Sequence, residues 1–118
     1  MKYAILTLFT LVLLTSCAEP TAEAGLKAIV GGRLEVSLDA EPIPYSVIVI
    51  GGGKIRSVGP QASTPVPKGA ETINAKGKLI RPMPYDATIV AGQPANFILL
   101  NAETGAPDSI MQSGEWVR

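Results

Sequence analysis

Apolar residues in this chain come in short bursts divided by glycine and proline. The densest burst, Val47-Ile48-Val49-Ile50, runs straight into Gly51-Gly52-Gly53. β-Branched side chains fit a pleated surface, and a run that is apolar at consecutive positions marks a strand covered on both faces. Glycine takes positive φ without steric cost, so the triplet can reverse the chain tightly. A second run then places Ile55 and Val58 before Gly59-Pro60 stops it. The pattern predicts a β-hairpin at the centre of a small all-β domain.

The flanking segments follow the same grammar. Leu26 to Val30 and Arg33 to Leu38 lie around Gly31-Gly32. In the second, Leu34, Val36 and Leu38 alternate with Arg33, Glu35 and Ser37, the period of a half-buried strand. Asp39 to Pro44 reads as a connection, and Gly59 to Gly69, with Pro60, Pro65 and Pro67, as a loop. Glu71 to Asn74 and Lys78 to Arg81 flank Ala75-Lys76-Gly77 as a strand–turn–strand unit. Ala95 to Asn101 holds a second covered run, Phe97-Ile98-Leu99-Leu100, and Glu115 to Arg118 supplies a final short strand. No segment sustains a helical period with caps, so the expected fold is all-β, a small sandwich or open barrel. The expected core is Ile48, Ile50, Ile55, Val58, Ile80, Phe97, Leu99 and Leu100.

The N-terminus is of a different kind. Lys2 precedes an almost unbroken apolar run from Ala4 to Leu14, then Leu14-Thr15-Ser16-Cys17. A positive start, a short apolar stretch and small residues before a cut site make a secretory signal, too short to span as a mature helix. Ending in Leu-Thr-Ser-Cys, it resembles a bacterial lipoprotein signal with its lipobox. That resemblance implies cleavage before Cys17, a diacylglycerol on its thiol and acylation (palmitate or similar) of the new amine. Ala18 stands where an aspartate would imply inner-membrane retention, so the implied location is the cell envelope, at the periplasmic face of the outer membrane. The expected division is residues 1–16 signal peptide, 17–25 a small polar tether, and 26–118 the β-domain.

Composition narrows the chemistry. The chain has 118 residues, one cysteine, no histidine and a formal net charge of zero. This is room for one domain. The charge balance and the lack of basic–aromatic clusters give no reason to expect nucleic acid as a partner.

The order of segments resembles the start of metal-dependent amidohydrolases, in their imidazolonepropionase-like and dihydroorotase-like branch. The resemblance is carried by Ala28 to Leu34, by Val47 to Gly59 and by Ile73 to Pro82, and its return half by Ile89 to Ala102. In that family these strands form a small composite β-domain outside a (β/α)₈ barrel. The family usually has Ala-Asp where Ala95-Asn96 stands. The metal motif Pro-Gly-x-x-Asp-x-His-x-His falls on Pro82 to Val90. Asp86 keeps the aspartate, but Thr88 and Val90 replace the two histidines. Valine offers no lone pair, and a threonine hydroxyl is a poor zinc ligand. A barrel of this type takes roughly 250 residues, whereas six separate Pro82 from Ile89. The resemblance therefore implies the fold of the small domain with no catalytic, cofactor or metal residues of its own. Zinc or another divalent ion is expected only if another chain supplies the barrel.

Other candidates weigh less. Gly51-Gly52-Gly53-Lys54 lacks the Gly-x-x-x-x-Gly-Lys-Ser/Thr spacing of a phosphate loop. With no histidine, only lysine or carboxylate could serve a nucleophile as base, and Lys76 and Lys78 beside a turn glycine read as solvated. Asp39 with Glu41 could pair as glycosidase carboxylates but reads as surface charge in a proline-containing loop. Asp86 reads as a turn residue. Trp116 is either a partner anchor or a cover for the sandwich end. The leading expectation is a non-catalytic, lipid-anchored interaction or scaffold domain, binding membrane lipid through Cys17. The alternative is one subunit of a split amidohydrolase acting on non-peptide carbon–nitrogen bonds, and a third reading is a gene remnant without a selected role. Replacement of Cys17 by serine is expected to leave an uncleaved or unlipidated precursor. Retention equal to the parent in fractionation would remove the anchor from the account.

Overall fold

The computed structural model describes residues 25–117; the expected signal peptide, Cys17 and most of the expected tether lie outside them. The described residues form nine strands: β1 (Lys27–Val30), β2 (Arg33–Leu34), β3 (Ser46–Gly51), β4 (Lys54–Pro60), β5 (Glu71–Asn74), β6 (Lys78–Pro82), β7 (Phe97–Asn101), β8 (Pro107–Gln112) and β9 (Glu115–Val117). They form two sheets, ordered β4-β3-β1-β5 and β2-β6-β7-β8-β9. Ile29, Ile48, Ile50 and Ile55 from the first sheet share one buried cluster with Leu34, Ile80, Phe97, Leu99 and Met111 from the second. The two apolar runs thus meet in a single interior, and the fold is a small all-β sandwich. Of the expected core, Val58 is half-buried against this cluster and Leu100 is buried outside it.

The central hairpin forms as its sequence requires. Every residue of β3 is buried, and Gly52 and Gly53 have φ of 62° and 79°, the signature of a two-residue type I′ turn. Ile55 and Val58 are three residues apart, a spacing that would put them on opposite faces of a regular strand. A bulge resolves this: Ile48 faces Val58, Ile50 faces Ile55, and the register slips between Val49 and Ile50. Both apolar side chains of β4 consequently reach the core. On the other face of β3, Val47 and Val49 are buried outside the shared cluster. There the 61–70 loop comes down, with buried Thr64 lying where a side chain on Gly59 would be.

Two expectations change. The Glu71–Arg81 unit is not a hairpin, because β5 pairs in parallel with β1 while β6 pairs in parallel with β2 in the other sheet. The segments 27–34 and 71–80 therefore cross between sheets side by side. The Ala75 N–H donates to the Val30 carbonyl at 2.8 Å at the crossing. Gly32 has no room for a side chain, since a Cβ would lie 2.6 Å from Ile80 Cδ1 and 3.1 Å from Ala75 Cβ. The strand expected over Arg33–Leu38 is only two residues long. Beyond Glu35, whose N–H still bonds the Ile80 carbonyl, the Val36 carbonyl turns to accept from Ile89, and Leu38 is exposed. Alternation fixed the side that Leu34 faces but not how far pairing continued.

β8 has no counterpart in the sequence reading, although Ser113-Gly114 between Ile110-Met111-Gln112 and Glu115-Trp116-Val117 is a two-residue hairpin signal. Ser113 and Gly114 have φ of 49° and 82°. This second turn meets the first: a Cβ on Gly114 would lie 2.8 Å from Gly53 Cα, and one on Gly53 2.9 Å from the Ser113 carbonyl oxygen. Replacement of Gly114 by alanine combines left-handed strain, about 1–2 kcal/mol, with overpacking against backbone, about 1–3 kcal/mol. The expected loss of about 2–5 kcal/mol is to be read from urea unfolding of the variant.

Candidate functional site at the Pro82 to Asn96 connection

The sequence resemblance directs attention to the connection between β6 and β7, where a catalytic barrel would interrupt the chain. The connection is closed onto the domain at both ends. Leaving β6, the Met83 N–H donates to the Asn96 carbonyl at 3.2 Å, and the Ala87 N–H closes a turn on the Pro84 carbonyl at 2.9 Å. Ile89 then enters the core with no exposed surface. Its N–H donates to the Val36 carbonyl at 2.9 Å. On the return, Gly92 N–H bonds the Ile55 carbonyl (2.8 Å) and Ile55 N–H the Gln93 carbonyl (2.9 Å). The connection thereby spans from the chain beyond β2 to β4, which are edge strands of opposite sheets.

Ala95 and Asn96 complete the closure. The Ala95 N–H donates to the Gly53 carbonyl at 3.0 Å, and its own carbonyl accepts from Gly114 N–H at 3.2 Å. Asn96 Oδ1 accepts from the Ser113 N–H at 2.7 Å, satisfying a donor in a left-handed residue. The dipeptide therefore ties the turns of both sheets together.

Asp86 and Thr88 are exposed, as is Val90, whereas Ile89 between the latter two points inward. Among the described residues no three His, Cys, Asp or Glu side chains gather where they could hold an ion. The donor set of this connection, one carboxylate with a threonine and a valine, does not fit zinc. Asp39 and Glu41 are exposed. Lys76 is exposed, and Lys78 Nζ lies 3.2 Å from Asp108 Oδ2. Trp116 is half-buried against the core, so it covers the sandwich. A cleft of about 210 Å³ between Glu35, Ser37, Leu38, Arg81, Pro82 and Tyr85 was not foreseen. Arg81 Nε donates to Glu35 Oε1 at 2.9 Å there, a contact between residues 46 positions apart that no local pattern announces.

No protein-family model matches the chain, and no curated protein matches it. Among solved structures there is a likeness to molinate hydrolase, a protein characterised structurally and catalytically. The TM-score is 0.44 and the identity 34%, over 52% of this chain and 13% of that one. The chain thus spans about an eighth of the length of that protein.

Truncation of Ile89 to alanine is expected to cost about 2–5 kcal/mol, as for other fully buried aliphatics. The Asp86→Ala change should stay within about 0.5 kcal/mol. Paired chemical denaturation of the two variants checks both values. A large loss for Asp86→Ala would return this carboxylate to consideration as a site residue.

Proposed function

We propose that this chain is a non-catalytic β-domain of the bacterial cell envelope, lipid-anchored through Cys17 at the periplasmic face of the outer membrane. Its role is one of interaction or scaffolding. Its descent, on this reading, is from the small composite domain of amidohydrolases, on the order of segments from Ala28 to Ala102. The observation that carries the reading is Ile89. At the position where a barrel would leave the domain, an aliphatic side chain fills the core and the chain is tied down on both sides. A domain closed in this way offers surfaces to a partner.

The alternative, a split amidohydrolase, draws on the same domain. A barrel supplied by another polypeptide would bring the zinc-binding histidines and hydrolyse non-peptide carbon–nitrogen bonds, with this chain completing the fold. It requires a barrel able to dock without reopening the Pro82–Asn96 connection.

One experiment separates the readings. A photo-crosslinking amino acid at Ile98, a half-buried position on the outer side of β7, is activated in intact cell envelopes. The scaffold reading expects a discrete adduct containing no metal-dependent hydrolase. An adduct with a barrel protein carrying Asp-x-His-x-His, together with zinc-dependent hydrolysis by the purified pair, would establish the alternative. Absence of any adduct at Ile98 or at neighbouring outer positions would remove the interaction role.

A further inference from the structure

The end of β1 leaves a notch in the first sheet. β1 lies between β3 and β5, so Val47 and Asn74 stand on either side of Val30. The next residue, Gly31, has a φ of 91°, which glycine adopts without steric cost, and it puts no side chain into the gap. A Cβ there would lie 3.7 Å from the Lys76 nitrogen and 3.8 Å from Lys76 Cβ. The space that remains is about 290 Å³, with Tyr45 and Gln61 on one side of Val30 and Gly31, and Asn74 and Lys76 on the other.

Backbone bonds hold the rims in place. The Gln61 N–H donates to the Tyr45 carbonyl, the Gly31 N–H to the Ser46 carbonyl and the Ala75 N–H to the Val30 carbonyl, each at 2.8 Å. Asn74 Oδ1 accepts from the Lys76 N–H at 2.9 Å, which leaves the Asn74 amide nitrogen as a donor. Walls set before binding reduce the ordering cost of binding.

The chemistry of the notch is one-sided. No carboxylate lines it, and Lys76 makes no ion pair among the described residues. Tyr45, 64% exposed, offers an aromatic surface. Tyr45 and Gln61 also line a second groove of about 430 Å³ with Pro42, Ile43, Pro44 and Pro60, so the two spaces adjoin at Tyr45. The one carboxylate of that groove, Glu41, disfavours an anion there, which sets the direction of a ligand that spans both.

We propose that notch and groove together bind a small carboxylate with an apolar body. The Lys76 ammonium takes the carboxylate in a charge-assisted contact, the Asn74 and Gln61 amides supply neutral donors, and the body crosses Tyr45 to the prolines. One exposed ammonium and an open groove limit the affinity to roughly the millimolar range. The site uses neither Ile98 nor β7 and stands independently of the interaction role above.

The test is a titration of the isotope-labelled full chain in non-ionic detergent, followed by its amide resonances, with hydrocinnamate and with the neutral hydrocinnamamide. Hydrocinnamate is expected to move Gly31, Asn74 and Lys76 and to saturate with a Kd on the order of 1 mM, and the amide to bind about tenfold more weakly. Lys76→Gln is expected to bring the acid down to the affinity of the amide and to leave the amide unchanged. Tyr45→Ala is expected to weaken both. Both side chains are exposed, and thermal unfolding like the parent's certifies each variant; the acid–amide comparison on the parent decides even if a variant does not fold. No saturation by about 20 mM, equal binding of acid and amide by the parent, or acid binding indifferent to Lys76→Gln overturns the proposal.

Discussion

The backbone of Ala95 is the constraint on which the sandwich depends. Its N–H bonds the turn of the hairpin β3–β4 and its carbonyl accepts from the turn of β8–β9, so the two backbone groups of one residue join both sheets. The turns can approach because Gly53 and Gly114 have no side chains at a separation that leaves no room for one. A buried backbone group without a partner is costly, and here each potential orphan is used to fix a neighbouring element. The side chain of Ala95 is itself fully buried, so the join lies at the edge of the core.

Ile89 acts at the opposite side of the same connection. In an open sandwich, exposed sheet edges and the apolar gap between them are liabilities. Here residues 89–94 bridge the chain beyond β2 to β4, and Ile89 fills the gap. Ile73 on β5 and Trp116 on β9, the remaining edge strands, are also packed on the core.

Much of this was legible in the chain. The run Val47–Ile50 and the glycines after it specify the hairpin, because β-branched side chains and left-handed turns leave few alternatives. Part of the core followed from the same runs: Ile48, Ile50, Ile55, Ile80, Phe97 and Leu99 join the buried cluster, whereas Ile29, Leu34, Ile89 and Met111 were not expected there. Local pattern failed where the outcome depended on which sheet a strand joined. Asn74 to Lys78 reads as a tight turn whether the flanking strands pair with each other or cross to separate sheets. Only the close packing of Gly32 against Ala75 and Ile80 decides it. The Glu35–Arg81 cleft escaped for a related reason: its two charges meet only once β2 and β6 are side by side.

The sequence by itself determined that the described chain would be all-β, where the central hairpin would reverse and that the runs Val47–Ile50 and Phe97–Leu100 would feed the interior. These depend on residue-level preferences for φ, for pleated surfaces and for water. The tertiary structure alone decided the partition into two sheets, the parallel crossing of 27–34 with 71–80, the meeting of two glycine turns and the placement of Ile89. Each of these rests on contacts between residues distant in the chain, where the free energy lies in complementary shape and shared hydrogen bonds that no single segment contains.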